Sequence, residues 1–462
     1  MKVVLSDGAT LECLDKSFAS GTDGECFWSR DGKFLVKLYF RAENWREASL
    51  DAILGRFNAV KGEPYWEDVL CWPTAIVKQP RLGVVVPKAA MGLKKIDNFG
   101  VVEWLNYHKE DVGTWHGRLG MTIQLARAVK RLHFKGLAHS DLSGNNVFGN
   151  PAEGRSYVID CDGLVVPNLE IARPVVVGTQ RWMAPELESG QVTEPSAATD
   201  LHALAVIIYE LLLLRHPLAG RKVHDPNDPK NDDRIKYGSG ALFVEHPTDS
   251  SNRPDRLPWP HTILGTSVSS LMYKALVTGL FKPAERPLAA SWERELVRLF
   301  DTMVFCLNPN CFFKSFPLPA DGRGKRIKCP WCGTALAGFD LPVLYWLNPV
   351  PGQIGVYRAD GTFRAGWPDA TIHEWHIRPN SLPGPNSDQR ALAAFCRTQS
   401  PSGEYNWFLV NQQMPYMEVC DSGQVWKRVR TSQAVKLQPG RKIRFGPMGM
   451  ARDAVVDMWT LV

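Results

Sequence analysis

The run His139-Ser140-Asp141-Leu142-Ser143-Gly144-Asn145-Asn146-Val147 puts an Asn five residues after an Asp within one polar loop. That spacing lets the Asp orient an attacking hydroxyl while the Asn carbonyl ligates a cation beside it. Asp160, fourteen residues beyond Asn146, lies in Val158-Ile159-Asp160-Cys161-Asp162-Gly163, in which two apolar residues lead into an acid. This is the pattern of a strand that delivers a metal-binding carboxylate to a cleft. A second chemical cluster consists of two close cysteine pairs, Cys306 with Cys311 and Cys329 with Cys332. Four thiolates on two knuckles suit tetrahedral zinc, and Gly333 permits the tight turn. The Cys-Pro-Trp-Cys segment also reads as a thioredoxin-like redox motif. That motif needs no second pair and expects a surrounding βαβ pattern, which this stretch lacks.

Further segments follow in a fixed order: Gly178-Thr179, Met183-Ala184-Pro185-Glu186, Asp200 before an apolar helix, and Arg286 in PAERP. Upstream stand Lys37 in FLVKLY and the loop Gly21-Thr22-Asp23-Gly24-Glu25-Cys26. In this order, over about residues 10–300, the chain resembles the eukaryotic-like Ser/Thr protein kinases. HSDLSGNN resembles their catalytic loop, IDCDG their metal-binding segment, and GTQRWMAPE the end of their activation segment. The resemblance implies ATP as phosphoryl donor with Mg²⁺ (or Mn²⁺). It makes Asp141 the catalytic base, or the residue that orients the acceptor hydroxyl, and makes Asn146 and Asp160 the cation ligands. Lys37 would grip the α/β-phosphates with Glu47 as its helix partner, Glu43 being the alternative. Gly21 and Gly24 would cover the phosphates, and Val86 and Lys88 would border the nucleotide. Glu186 and Arg286 would form a buried structural pair, and Asp200 would brace the catalytic loop. Thr179, in the segment that would hold the acceptor, favours Ser/Thr over Tyr.

The chain departs from the family at several positions. Asp23 and Cys26 stand where the family has Gly, and a carboxylate beside phosphates is unfavourable unless it points away. Ser143 replaces a lysine that contacts the γ-phosphate. Ser140 replaces an arginine that demands a phosphate partner. Asp162 replaces a Gly, and either reaches a second cation or caps a turn. Two rival readings stay open: a nucleotide-binding pseudokinase scaffold, and a small-molecule kinase of the aminoglycoside type. The second lacks the GT…APE segment.

Behind the cysteines, Trp426, Val435, Leu437, Pro439-Gly440 and Ile443-Arg444-Phe445-Gly446 resemble the last strands of a forkhead-associated domain. The Arg and Ser that such domains use for phosphothreonine are not recognisable. The order kinase, zinc ribbon, β-domain also resembles bacterial kinases of tellurium-resistance-type loci. That resemblance implies a von Willebrand-type protein and a metal-dependent phosphatase as partners, and a stress-response role.

Positioning these residues requires several elements. Phe34–Tyr39 and Gly83–Val86 read as strands, with a helix between them over about residues 45–57. Leu119, Ile123, Ala126, Val129 and Leu132 recur at helical spacing, and a second long helix spans about residues 200–214. Residues 224–260, rich in Pro and Asp, read as mostly loop, followed by helices over about 266–280 and 289–300. Residues 341–462 alternate apolar and polar and read as a β-sandwich or barrel.

The net charge of +6, from 54 basic and 48 acidic residues, is too mild and dispersed to argue for nucleic acid. The most apolar run, Ala203–Leu214, is about 12 residues long and contains Glu210. It falls short of the roughly 20 residues that span a bilayer. No signal peptide is legible at the start, and the expected location is cytoplasmic. The expected fold is therefore α+β: a two-lobed protein kinase (1–88 and 89–300), a small zinc ribbon (301–340) and an all-β sandwich-like domain (341–462).

Overall fold

The structure is a computed structural model that describes every residue except 42, 170–177, 380, 386–389, 402, 422–424 and 462. The chain divides into two compact units. The first comprises residues 1–113, 117–261 and 269–292, and the second 114–116, 262–268 and 293–462.

The first unit opens with an antiparallel seven-stranded sheet of order β2-β1-β6-β7-β5-β4-β3. Its strands are β1 (Lys2–Leu5), β2 (Thr10–Glu12), β3 (Ala19–Ser20), β4 (Gly24–Trp28), β5 (Phe34–Tyr39), β6 (Ala75–Gln79) and β7 (Gly83–Pro87). Side chains alternate across a strand. In β5 this sends Val36 and Leu38 into a cluster with Val3, Phe27 and Val85 on one face. Tyr39 goes to the other face, packing with Leu50, Ile76 and Val84. Lys37 falls on the Tyr39 face by the same alternation.

The helix Asn44–Leu54 covers that face through Leu50. It ends three residues before the position the apolar pattern suggested. Gly55, at φ −95° and ψ −103°, leaves the helical region and stops it. The helices Trp115–Phe134 and Ala197–Leu213 follow. The second is buried from Thr199 to Leu213, which accounts for its mostly apolar sequence. Among the described residues, no helix is long and apolar enough to cross a membrane.

Residues 224–260 differ from expectation, because they contain the helix Pro229–Tyr237. The residues read as loop breakers are its start signals. Asp228 accepts the N–H groups of Lys230 and Asn231 at 3.0 and 3.2 Å, and Pro229 occupies the first turn.

In the second unit, Met303–Phe305 pairs antiparallel with Ser315–Pro317 around the cysteine segment. Beyond lie a six-stranded and a four-stranded sheet. In the larger, Asp340–Pro349 lies along Asp453–Thr460, and in the smaller Ala393–Gln399 lies along Tyr405–Asn411. All the pairs in both sheets are antiparallel. Leu344 and Trp346 of the first sheet share a buried cluster with Phe395, Leu409 and Val435 of the second. Cys311 and Cys329 share another with Leu341, Val343 and Trp459. The cysteine segment thus shares a buried cluster with the strands Asp340–Pro349 and Asp453–Thr460.

Candidate active site

The polar loop is assembled by a hairpin and a helix-borne acid. The strand Val147–Asn150 pairs with the strand Arg155–Val158, with Val147 opposite Val158. Asn146 and Ile159 are therefore neighbours, and the Ile159 N–H donates to the Asn146 carbonyl at 2.9 Å. Asp160 follows at once, in the left-handed region at φ 62°. Asp200, buried at the start of its helix, accepts the His139 N–H at 2.8 Å and lies 3.0 Å from His133 Nε2. The His139 ring spans the loop. Its Nδ1 accepts the Asp141 N–H at 3.2 Å, which leaves Nε2–H to donate to the Ile159 carbonyl at 3.0 Å.

Asp141 is held from two sides. One carboxylate oxygen accepts the Thr179 N–H at 2.7 Å. The other accepts the Thr179 hydroxyl at 3.0 Å and the Asn146 amide at 2.9 Å. The Thr179 hydroxyl is also 3.5 Å from Ser143 Oγ, which is fully buried. Spending the Asn146 nitrogen on Asp141 leaves its carbonyl oxygen for a cation. With the Asp160 carboxylate this is a hard-oxygen donor set, which fits Mg²⁺ or Mn²⁺.

Lys37 reaches across from β5. Its ammonium donates to Asp160 at 2.7 Å and to Asp162 at 2.9 Å. Asp162 also accepts the Tyr39 hydroxyl at 2.7 Å. Burial works against the charge on Lys37, but Asp162 and Asp160 outweigh it and hold the pKa well above the ordinary lysine value. In return, Lys37 pulls the Asp160 carboxyl down to about 2 against its burial.

The helix partner expected for Lys37 is corrected by this geometry. The Glu47 carboxylate is bound by Lys78, and Glu43 by Trp45 and Arg46. Glu47 lies nearly half exposed on the helix surface, while Asp162 is buried beside the ammonium. Asp162 was read from sequence only as a second cation ligand or a turn cap. The signal that could have found its partner was the extra acid itself, beside a lysine strand with a tyrosine two residues on.

The loop of Gly21 closes with the Gly21 N–H donating to the Gly24 carbonyl at 2.9 Å. A Cβ on Gly24 would lie 2.5 Å from the Leu38 carbonyl oxygen, so the close strand approach needs glycine. Asp23 is bridged to Arg46 at 3.0 Å, which neutralises the acid that stood out in this loop. Val86 is buried in the Tyr39 cluster, and the Lys88 ammonium sits 5.2 Å over the Trp28 ring.

Glu186 and Arg286 form a bidentate pair at 2.6 and 2.7 Å. A second latch was not visible in the sequence. Arg181 and the Trp182 indole both donate to Glu210, at 2.5–2.9 Å. Burial pushes the Glu210 carboxyl up to about 7 despite these donors. Residues 170–177, within the segment Asp160–Glu186 that was read as an activation segment, lie outside the described residues.

The four cysteines also converge. The sulfurs of Cys306 and Cys332 are 3.5 Å apart, those of Cys311 and Cys329 3.6 Å, and all four lie within 4.8 Å of one another. The edge of a tetrahedron with 2.3 Å zinc–sulfur bonds is about 3.8 Å. Gly333, at φ 74°, closes one knuckle by donating to the Cys329 carbonyl at 2.9 Å.

Residues 101–287 match the family model described as "Protein kinase domain". The chain is similar to the human dual specificity testis-specific protein kinase 1, at 32% identity over 139 residues. That stretch is 28% of this chain and 22% of the relative. It is also similar to the serine/threonine-protein kinase PknD of Chlamydia abortus, at 30% identity over 137 residues, 25% of this chain and 14% of that protein. The chain thus covers about a fifth or less of the length of these curated relatives. Among solved structures, a Toxoplasma gondii rhoptry antigen kinase domain aligns at 16% identity and a TM-score of 0.40. That alignment covers 64% of this chain and 85% of that one.

Proposed function

We propose that this chain is a protein kinase that transfers the γ-phosphoryl group of ATP to Ser or Thr of a protein substrate. One observation carries the reading. Lys37 pairs with Asp160 at 2.7 Å across 123 residues and Asn146 donates to Asp141 at 2.9 Å, the last three of these four residues lying in the stretch 101–287 that matches the protein kinase family model. Bound Mg-ATP supplies the phosphoryl group and the cation that neutralises its charge. Asn146 and Asp160 hold the cation, and Lys37 carries positive charge to the phosphates. Asp141 takes the hydrogen bond of the acceptor hydroxyl and holds the oxygen in line. Gly21 and Gly24 keep the loop over the phosphates close, while Val86 and Lys88 border the nucleotide. Thr179, donating to Asp141, stands beside the acceptor position and supports Ser/Thr over Tyr.

The four-cysteine cluster is a structural zinc site in this reading, supported by its sulfur spacing. Lobes at 1–88 and 89–300, a zinc ribbon at 301–340 and a forkhead-associated-like β-domain at 341–462 make up the chain. The resemblance in module order supports a cytoplasmic role in bacterial stress signalling, with a von Willebrand-type protein and a metal-dependent phosphatase as partners. The deciding experiment incubates the full chain with labelled ATP, Mg²⁺, a generic protein acceptor and those two candidate partners. Transfer that disappears in D141N supports the proposal. Binding of Mg-ATP without transfer to any acceptor would replace it with the scaffold reading, to which the lost lysine at Ser143 points.

A further inference from the structure

We propose that a cleft within the second unit binds a small organic molecule with a planar apolar body and an anionic group. The cleft has a volume of about 770 Å³, a size that suits a small-molecule ligand. Phe316, Trp346, Phe363 and Trp375 contribute aromatic surface to its lining. Six basic side chains line it against three acidic ones. Two of the acids are engaged locally, since Glu295 binds Arg294 and Arg298, and Asp321 binds Lys325.

The polar atoms left over have a common character. Trp375 is 9% exposed, and its indole N–H is buried with no hydrogen-bond partner. The Arg452 side chain is 14% exposed, and its Nε is likewise buried and unpartnered. The nearest carboxylate to that guanidinium is Asp360, at 3.4 Å. Asp301, the third acid in the lining, already accepts from Arg364 and lies 3.1 Å from His376 Nε2. Among the described residues of the lining, the buried unpartnered atoms are therefore donors only. Leaving a buried donor unmade costs about 1–3 kcal/mol, and more for a charged group. Asp360 pairs with one edge of the guanidinium, which leaves its Nε and the Trp375 N–H without an acceptor. An acceptor-rich anion answers the excess of basic groups in the lining, and an aromatic body covers its apolar walls. Exposed Arg326 and Lys328 on the rim favour the entry of an anion.

The site is separate from the kinase chemistry, so it can be tested with the nucleotide cleft filled. The full chain is saturated with a non-hydrolysable ATP analogue. It is then titrated calorimetrically with 1-anilinonaphthalene-8-sulfonate and, in parallel, with the uncharged N-phenyl-1-naphthylamine. The expected result is saturable binding of about one sulfonate per chain, with the neutral compound at least about tenfold weaker. R452M should weaken the sulfonate about tenfold or more, and W375F, which keeps the ring and loses the N–H, by severalfold. R326E changes an exposed rim residue, so it reports on the site even if R452M does not fold, and should also weaken binding severalfold. Equal affinity for the neutral compound, no saturable binding, or unchanged affinity in R326E and W375F would overturn the proposal.

Discussion

The Lys37 ammonium lies 2.9 Å from the carboxylate of Asp162, an acid buried two residues past Asp160 and hydrogen-bonded to Tyr39. The counter-charge for Lys37 thus comes from the turn that holds Asp160 and Asp162, not from the helix Asn44–Leu54. Removing Asp162 would leave the buried ammonium with Asp160 alone. Asp160, already 2.7 Å from Lys37, would then supply the whole counter-charge and compete more strongly with a cation for that carboxylate.

Substitutions at Asp162 and at Glu47 should therefore differ in effect. Asp162→Ala should lower kcat/KM for ATP by about 10–100-fold, since a hydrogen bond to a charged group contributes about 1.5–3 kcal/mol. Glu47→Gln should stay within about twofold, because Glu47 makes a surface pair with Lys78. Steady-state kinetics on both variants checks this. A large loss in Glu47→Gln would mean that Lys37 exchanges partners when nucleotide binds.

Asp141→Asn and Asp160→Asn should each nearly abolish phosphoryl transfer. A positioned acid–base group contributes about 10²–10⁴ in rate. The two variants should differ in Mg²⁺ dependence: D141N keeps the cation ligands, while D160N loses one. Initial rates across a Mg²⁺ series distinguish them.

Zinc should bind at one ion per chain. Cys329→Ser or Cys332→Ser should release it and unfold the second unit, whose buried cluster includes Cys329. ATP binding should survive, because every residue named at the active site belongs to the first unit. Metal analysis of protein purified without chelators, alongside a nucleotide-binding titration, tests both halves.

Glu210 should give stability a slope at neutral pH. Its carboxyl is pushed by burial from 4.5 up to about 7 in the folded chain. The folded state therefore holds a proton that the unfolded state has lost. This contribution is full below about pH 4.5 and disappears as pH rises through about 7. It amounts to about 3 kcal/mol at most, since one pKa unit is worth about 1.4 kcal/mol. Glu210→Gln should remove that part of the slope. Denaturant midpoints of both proteins at pH 5 and pH 8 measure the difference.

Activity should not depend on phosphorylation of Thr179. Ser140, next to Asp141, is neutral and needs no phosphate partner. The Thr179 hydroxyl already donates to Asp141, and a phosphate there would face that carboxylate. Thr179 is the one hydroxyl residue in the sequence from Asp160 to Glu186. Phosphatase treatment, confirmed by mass, should leave initial rates unchanged. A fall that reverses on rephosphorylation would make the segment a switch.

The sequence alone determined what depends on local spacing. The Asp141–Asn146 loop, the strand around Lys37, the long apolar helix and the paired cysteines were legible because turns, alternation and ligand spacing act over a few residues. The residues 229–237 misled for the opposite reason. Pro and Asp break a helix in its interior but begin one at its first turn, and composition does not say which applies. Only the tertiary structure assigned the partners. Lys37 and Asp162 are 125 residues apart, and Arg181 and Glu210 are 29 apart. Glu47 had the expected type and place on its helix, yet its carboxylate is taken by Lys78. A charge pairs with whatever the packed sheet and turn bring within hydrogen-bond reach, and burial makes that choice costly to change. Such distances are fixed by the whole core, which no short stretch of sequence encodes.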